Sequence, residues 1–497
     1  MLPSLLPLRD NLFSQVDAPA DSGIDIDKIA HTSGGPLVCV STPSVQRYIT
    51  SQPHFSTSCS DRAVRAHSAI PPSEENQGTT PSTATGSCPI FSNSRTTTIR
   101  STTPPLPITQ LSGTFQVPQI CIKNTRPYGG QFAPESMMGF LCDLTSNFEA
   151  IVSEPSFWEE YSEFCRPRPT ELYLAQELTR EAGGATIWLK REDQNEYGTH
   201  KARHITAQLL LARRMGRLEV VADCASAKHG IFTADLCRRL GLGCVIAMGD
   251  DDISAQPTGV RNMRDLGARI ISARAPSGKG TLRAAITEAL RYLVSHYQTA
   301  YYLIGGPLGP SPLPRLVRTF QALLGKEVSA QLQEIADPLP DAVITAIGSG
   351  SGAVGLFSTF INNPSVRLIG VEATNAATIT HGERGVLHGA HTLLLQDEDG
   401  QILDSHSISP DMNISTVGPE IAEWKDSGRI EVFTATDTDA LEGFRMLQQQ
   451  EGISTGLDSA HAVAKTVQLS QELGPGRNVV LLVTGQDMID VNRLREV

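Results

Sequence analysis

From about Pro118 onward the chain alternates between two hydrophobic rhythms. Short runs rich in β-branched and aliphatic residues, TIWLK, LEVVAD, GCVIAMG, DAVITAIG, VRLIGVEA and NVVLLVTG, are apolar at most positions. A strand buried on one face alternates apolar with polar, so these runs predict strands covered on both faces. Between them lie HKARHITAQLLLARRMG, RAAITEALRYLVSHY and DALEGFRMLQQQEG, with apolar residues three and four apart. That spacing predicts helices burying one stripe. The alternation implies an α/β protein with twisted parallel sheets flanked by helices. In such sheets ligands bind beyond the carboxyl ends of the strands, which is where the unusual residues of this chain fall.

The first 115 or so residues have neither rhythm. Stretches such as GTTPSTATGSCPIFSNSRTTTIRSTTPPLP are rich in Ser, Thr and Pro and offer little apolar surface to offset chain entropy. They predict a disordered leader over residues 1–115. The apolar start MLPSLLPLRDNLFSQ lacks the basic segment and cleavage site of a secretory signal, and the region is too poor in basic residues for an organellar transit peptide.

Composition narrows the function. The 497 residues are 40% hydrophobic and 19% charged, as in a soluble globular protein. A formal charge of −12 with no Lys/Arg stripe argues against a nucleic-acid partner. No apolar run approaches the roughly 18 residues of a membrane span. Nine cysteines are scattered without a CxxC pair or a Cys/His cluster. They read as free thiols in a reducing, cytoplasmic compartment, with neither a disulfide framework nor a metal site.

Two segments carry chemistry. In LKREDQNEYGTHKARH, which follows a predicted strand, Gly198 breaks the chain, Thr199 is a candidate N-cap and Lys201 enters the first helical turn. The helix dipole disfavours a cation there and lowers the pKa of the amine, which suits an amine that forms an imine. An isolated lysine is more often simply solvated, so the placement alone does not decide. The second segment, DAVITAIGSGSGAVGLFSTF, is strand, Gly/Ser loop, helix, a form that brings backbone N–H groups to a phosphate. It also spells the dinucleotide fingerprint Gly350-x-Gly352-x-x-Gly355, with Glu372 ending the next strand. The lysine segment weighs against a nicotinamide cofactor, because hydride transfer needs no imine-forming amine.

Taken as a string, KRED, the following Asn and GTHK resemble the cofactor lysine segment of fold-type-II pyridoxal-phosphate enzymes, and of the tryptophan synthase β-chain family in particular. RPYGGQFAPE, RPRPTELY, the run Ala225–Gly230, YYLIGGPLGPSPLP, GKE, GVLHGAHTLLLQDEDGQI, VGPE and LDSAHA resemble the same family in the same order, over roughly Arg126 to Asp490. The resemblance implies a two-domain fold. An N-terminal α/β domain would cover 116–325, with a mobile communication subdomain at about 216–304, and a C-terminal α/β domain would cover 326–497. It also implies pyridoxal phosphate as cofactor, a monovalent cation site left open, and a homodimer.

The same resemblance implies the site. Lys201 would be the Schiff-base lysine that also removes the substrate α-proton, with His200 near the cofactor phosphate. Gly348, Ser349, Gly350, Ser351 and Gly352 would cradle that phosphate, and Thr484 would meet the pyridine nitrogen where the family has Ser. Asp458 replaces a family Glu on the same rim, and Gly352 stands where the family usually has Asn. Asp223 takes the position of the family's acid/base Glu, one C–C bond shorter. Backbone amides of Cys224, Ala225, Ser226, Ala227, Lys228 and His229 would grip a substrate carboxylate, and Lys228 offers a cation where the family has Gln. The Arg and Asp that close the family's lid correspond to Asn262 and Asn413.

The implied reaction is β-replacement on L-serine or a serine-like amino acid with indole or a related nucleophile, giving tryptophan or an analogue. Two alternatives stay open: a dehydratase-type lyase that releases the eliminated product without capture, and a catalytically silent binding homologue. The leader is far shorter than the roughly 250 residues of a (β/α)8 barrel. The nucleophile would therefore come from a separate α-type partner or from free solution.

Overall fold

The computed structural model describes residues 127–166, 168–335 and 339–485. These all belong to the unit Ser92–Val497; the unit Met1–Phe91, and with it the leader expected over 1–115, lies outside the described residues. Twelve strands follow in chain order among them. The first six are β1 (Leu172–Leu174), β2 (Thr186–Arg191), β3 (Glu219–Cys224), β4 (Gly243–Gly249), β5 (Arg269–Ala273) and β6 (Ala300–Leu303). The rest are β7 (Ala342–Ala346), β8 (Arg367–Ala373), β9 (Glu383–Leu387), β10 (Ala390–Leu394), β11 (Glu431–Ala435) and β12 (Asn478–Val483).

They form a six-stranded sheet in the order β1-β2-β12-β7-β8-β11, a four-stranded sheet β5-β4-β3-β6 and the hairpin β9/β10. Every pairing in the two large sheets is parallel except β1 with β2. The apolar runs are the strands the pattern predicts, and the alternation of their side chains explains why they are apolar throughout. Ile187, Leu189, Val479, Leu481 and Val483 pack on one face of the larger sheet, while Trp188, Val480 and Leu482 pack on the other. Sheet membership cuts across the expected division at residue 325, because β1 and β2 lie in the same sheet as β7, β8, β11 and β12. Parallel neighbours are joined by long crossovers, so adjacency in the sheet does not follow adjacency in the chain. Among the described residues no helix is long and apolar enough to cross a membrane.

Helix Ala202–Arg214 is buried on every side as far as Ala212, polar residues included. Arg203, fully buried, donates to both Glu192 (2.7 and 3.0 Å) and Glu327 (2.7 and 2.8 Å). Lys190, at the end of β2, reaches Glu327 at 2.9 Å, Gln331 at 2.8 Å and the Thr170 carbonyl at 2.8 Å. Glu192 also accepts from Thr170 and from Asn195, both at 2.6 Å. Arg168 joins the cluster with an ion pair to Glu192 at 3.9 Å, so three cations surround two carboxylates. Burial by itself would raise the Glu327 pKa, but Arg203 and Lys190 hold it down at about 2.

Removing one partner of such a network leaves charge buried and unpaired, which costs about 3–5 kcal/mol. Glu327→Ala is expected to lose stability of that order in urea unfolding. The sign of the pH dependence also follows. Because the Glu327 pKa is depressed, its contribution is present above the unfolded value of about 4.3 and is lost as pH falls towards 2. The variant should lack that acid-dependent part.

Candidate active site

The chain leaves β2 at Arg191, makes two short 3-10 turns (Glu192–Gln194 and Glu196–Gly198) and enters helix Ala202–Arg214. Lys201, and not Thr199, occupies the cap of this helix, two positions nearer its start than the sequence suggests, and its N–H donates to the Thr199 hydroxyl at 3.2 Å. The Gly198 carbonyl accepts from Gly485 N at 2.8 Å, tying the turn to the end of β12. Lys201 is 7% exposed, and its Nζ lies 2.5 Å from Asp411 Oδ1. Burial works to lower the pKa of the amine, but the Asp411 carboxylate outweighs it and the net direction is upward. This corrects the expectation of a lowered value, which considered the helix dipole and had no knowledge of a carboxylate in contact.

His200 sits between two hydroxyls. Its Nδ1 is 3.0 Å from Thr484 Oγ1 and its Nε2 is 2.7 Å from Ser351 Oγ, while its backbone N–H donates to Thr484 Oγ1 at 3.1 Å. Burial, with Lys201 adding to it, pushes His200 down to about 4, so the ring is neutral at pH 7. Thr484 is held in turn by Ser459, whose hydroxyl accepts from Thr484 N at 2.9 Å. Asp458 lines the same cavity, and its carboxylate accepts from Ser459 N at 2.8 Å.

The Gly/Ser loop runs from β7 into helix Ser351–Phe360, with Gly350 as cap at φ +103, a conformation that side chains disfavour. A Cβ on Gly348 would stand 2.1 Å from the Asp411 carbonyl oxygen, so loop and neighbouring chain touch backbone to backbone. At Gly352 a Cβ would meet Leu482 at 3.0 Å and Thr345 at 3.4 Å, so the Asn usual in the family would need its neighbours to give way. First-turn N–H groups that find no acceptor inside the helix, together with the hydroxyls of Ser349 and Ser351, suit a phosphate dianion. The cavity brings together His200, Lys201, the loop from Gly348 to Gly352, Asp411, Asp458 and Thr484. These residues fit pyridoxal phosphate: an amine, an anion cradle and a neutral hydroxyl.

On the β3 side, Asp223 is buried, and its Oδ1 accepts from the Tyr302 hydroxyl (2.9 Å) and Gly305 N (3.1 Å). Burial outweighs these donors and raises its pKa. A Cβ on Gly305 would stand 3.0 Å from Asp223 Oδ2 and 2.8 Å from the His229 ring, so the bare glycine leaves both groups room. His229, pushed down to about 3 by burial and by Lys201, is neutral, and its buried Nε2 has no hydrogen-bond partner among the described residues.

The loop from Cys224 opens helix Ala227–Leu240 with Ser226 as cap. Gln256 clamps it, accepting from Ala227 N and donating to the Ala225 carbonyl, both at 2.8 Å. Cys224 donates to the Ser226 carbonyl at 3.0 Å, and burial pushes its thiol up, so it stays protonated. Lys228 extends towards the end of β12, where a Cβ on Gly485 would lie 2.9 Å from its Nζ.

No hydrogen bond joins the two expected lid positions among the described residues. Asn262 is exposed on helix Pro257–Asp265, whose buried face carries Val260 and Met263. Asn413 spends its side-chain oxygen on the Ser405 hydroxyl at 2.8 Å. Asp411, Gln256 and Tyr302 escaped the sequence reading. Asp411 lies 210 positions from Lys201, and nothing in SPDMN marks it apart from its charge.

A lysine at a helix start, facing a Gly/Ser anion cradle at the carboxyl edge of a parallel sheet, defines a fold-type-II cofactor enzyme. The family model described as pyridoxal-phosphate dependent enzyme matches residues 166–485, and the chain belongs to that family. Tryptophan synthase of Saccharomyces cerevisiae is 42% identical over 381 residues, which are 74% of this chain and 54% of the yeast protein. The chain therefore spans about half the length of that curated relative. The crystal structure of a pyridoxal 5'-phosphate-dependent aspartate racemase superposes with a TM-score of 0.53 at 16% identity, covering 69% of this chain and 96% of the racemase; it shares the fold.

The glycine contacts give a graded test. Gly348→Ala must displace backbone, so its affinity for pyridoxal phosphate should fall at least about tenfold, a loss of about 1.4 kcal/mol. Gly352→Ala meets a Leu482 methyl and a Thr345 hydroxyl, which can shift slightly, and should lose much less. Fluorescence titration of the cofactor onto each variant measures both.

Proposed function

We propose that the enzyme is a lyase that replaces the β-hydroxyl of L-serine, or of a serine-like amino acid, with indole or a related nucleophile. Its 42% identity to a protein named tryptophan synthase supports this reading. The observation that carries it is Asp223, a carboxyl whose pKa is raised by burial, beside neutral His229 and the bare Gly305. Departure of a hydroxyl needs a proton donor, and burial, by raising the pKa of this carboxyl, moves it towards that role.

The residues divide the work. Lys201 would carry the cofactor, Ser349, Ser351 and the loop amides would hold its phosphate, and Thr484 would meet its ring nitrogen. Bound there, pyridoxal phosphate supplies the electron sink that lets bonds at the α-carbon break. A hydroxyl at Thr484 leaves that nitrogen less positive than a carboxylate partner would. Lys201 Nζ would take the α-proton of the substrate. First-turn amides of Lys228 and His229 receive the substrate carboxylate, on a loop kept in shape by Gln256. Asp223 donates to the departing oxygen, and Tyr302 and Gly305 aim its carboxyl.

Incubating the protein with serine or threonine and a panel of indoles, with products identified by mass, tests the reading. Coupled amino acid is the expected product. Keto acid formed without capture would assign a dehydratase instead, and no turnover would reject the enzyme reading. Asp223→Asn should still take up cofactor, with borohydride fixing it onto Lys201. It should lose about 10²- to 10⁴-fold in turnover, the usual worth of general acid–base help. A variant as active as the parent would remove Asp223 from this role.

A further inference from the structure

The Asp411–Lys201 contact lies outside the division of work just described. Asp411 belongs to the 3-10 turn Pro410–Met412, where Met412 N donates to the Ser409 carbonyl (3.1 Å) and Asn413 N to the Pro410 carbonyl (3.2 Å). Its own carbonyl abuts Gly348 so closely that no Cβ fits between them. The backbone beneath the carboxylate is therefore fixed against the Gly/Ser loop, and the side chain, about a quarter exposed, projects into the cavity to meet Nζ at 2.5 Å.

We propose that Asp411 is a positioning residue for Lys201: in the cofactor-free enzyme the Asp411 carboxylate holds Nζ in place as an ammonium and so slows cofactor capture. The inference rests on the reading of Lys201 as the cofactor lysine. Capture requires the neutral amine. Its lone pair forms the bond to the aldehyde carbon of the cofactor, and both amine protons leave with the aldehyde oxygen as water. An ammonium must first surrender its extra proton, and a carboxylate in contact opposes that loss.

The surrounding charges agree with this assignment. Burial would raise the Asp411 pKa, but Lys201, with Lys228 and His229 adding to it, holds the carboxyl at about 2, so it stays ionised. Asp458 also faces Lys201 and favours its charged form, while the Cys224 thiol, His200 and His229 are uncharged at pH 7. Replacing Asp411 by Asn removes the carboxylate in direct contact and keeps the shape of the side chain. The Lys201 pKa should then fall, and the neutral fraction at a given pH should rise tenfold for each unit of fall.

Full-length protein stripped of cofactor is mixed with pyridoxal phosphate across roughly pH 6 to 10, and uptake is followed by absorbance. Asp411→Asn should capture cofactor at least about tenfold faster than the parent near neutral pH, with its inflection moved to lower pH. Asp411→Glu, which keeps the charge, should follow the parent profile. Coincident profiles for parent and Asp411→Asn, or uniformly slower capture with an unmoved inflection, would overturn the inference. Borohydride trapping and peptide mapping separate the two levels of the argument. Label on Lys201 with coincident profiles removes the inference alone, and label on another lysine removes the cofactor-lysine reading together with it. If Asp411→Asn does not fold, trace acetylation of the stripped parent against pH replaces it. There Lys201 should titrate above an ordinary lysine, and titration below it would overturn the proposal.

Discussion

A cluster of charges taken out of water together, Lys190, Arg203, Glu192 and Glu327 with Arg168 at its edge, constrains this structure. Lys190, Arg203, Glu192 and Glu327 are all buried, and their mutual bonds run from 2.7 to 3.0 Å. Burying an isolated ion costs several kcal/mol, and attraction between partners offsets that cost only where the geometry is good and the remaining donors and acceptors are satisfied. Thr170, Asn195 and Gln331 complete the set. The network joins the end of β2, the turns after it, the first turn of helix Ala202–Arg214 and helix Leu323–Ile335. Lys201 lies between two of its anchors, Asn195 and Arg203. The chain carrying the amine therefore has little freedom to move without exposing unpaired charge.

Around that fixed amine the site sorts its ionisable groups by environment. Asp411 and Asp223 are both carboxyls on the margin of one site, yet the first is held at about 2 by Lys201 against the effect of burial, and the second is raised because burial outweighs its hydrogen-bond donors. One is suited to hold a cation and the other to donate a proton. His200 and His229 stay neutral because their burial is not matched by a carboxylate in contact. A neutral His200 can pair with both Thr484 and Ser351, which ties the end of β12 to the start of the helix after β7. The Gly/Ser loop and the end of β12 are linked through one imidazole.

Much of this was legible in the chain because it is local. Apolar runs marked β2, β3, β4, β7, β8 and β12, since strands buried on both faces need apolar residues in succession. GTHK and GSGSG marked the turn into helix Ala202–Arg214 and the loop into helix Ser351–Phe360, because a turn into a helix requires such residues within a few positions. Tertiary structure alone decided what depends on contacts far apart in sequence. Parallel pairing set β12 beside β2, against the linear division into two domains. The fold brought Asp411 to Lys201 across 210 positions, reversing the direction in which the lysine pKa was expected to move. It also left Asn262 exposed and gave the Asn413 side-chain oxygen a local donor in Ser405. Periodicity and turn chemistry record the neighbours of a residue along the chain. The field at a buried amine is set by whichever charges the closed fold places around it, and those leave no periodic trace.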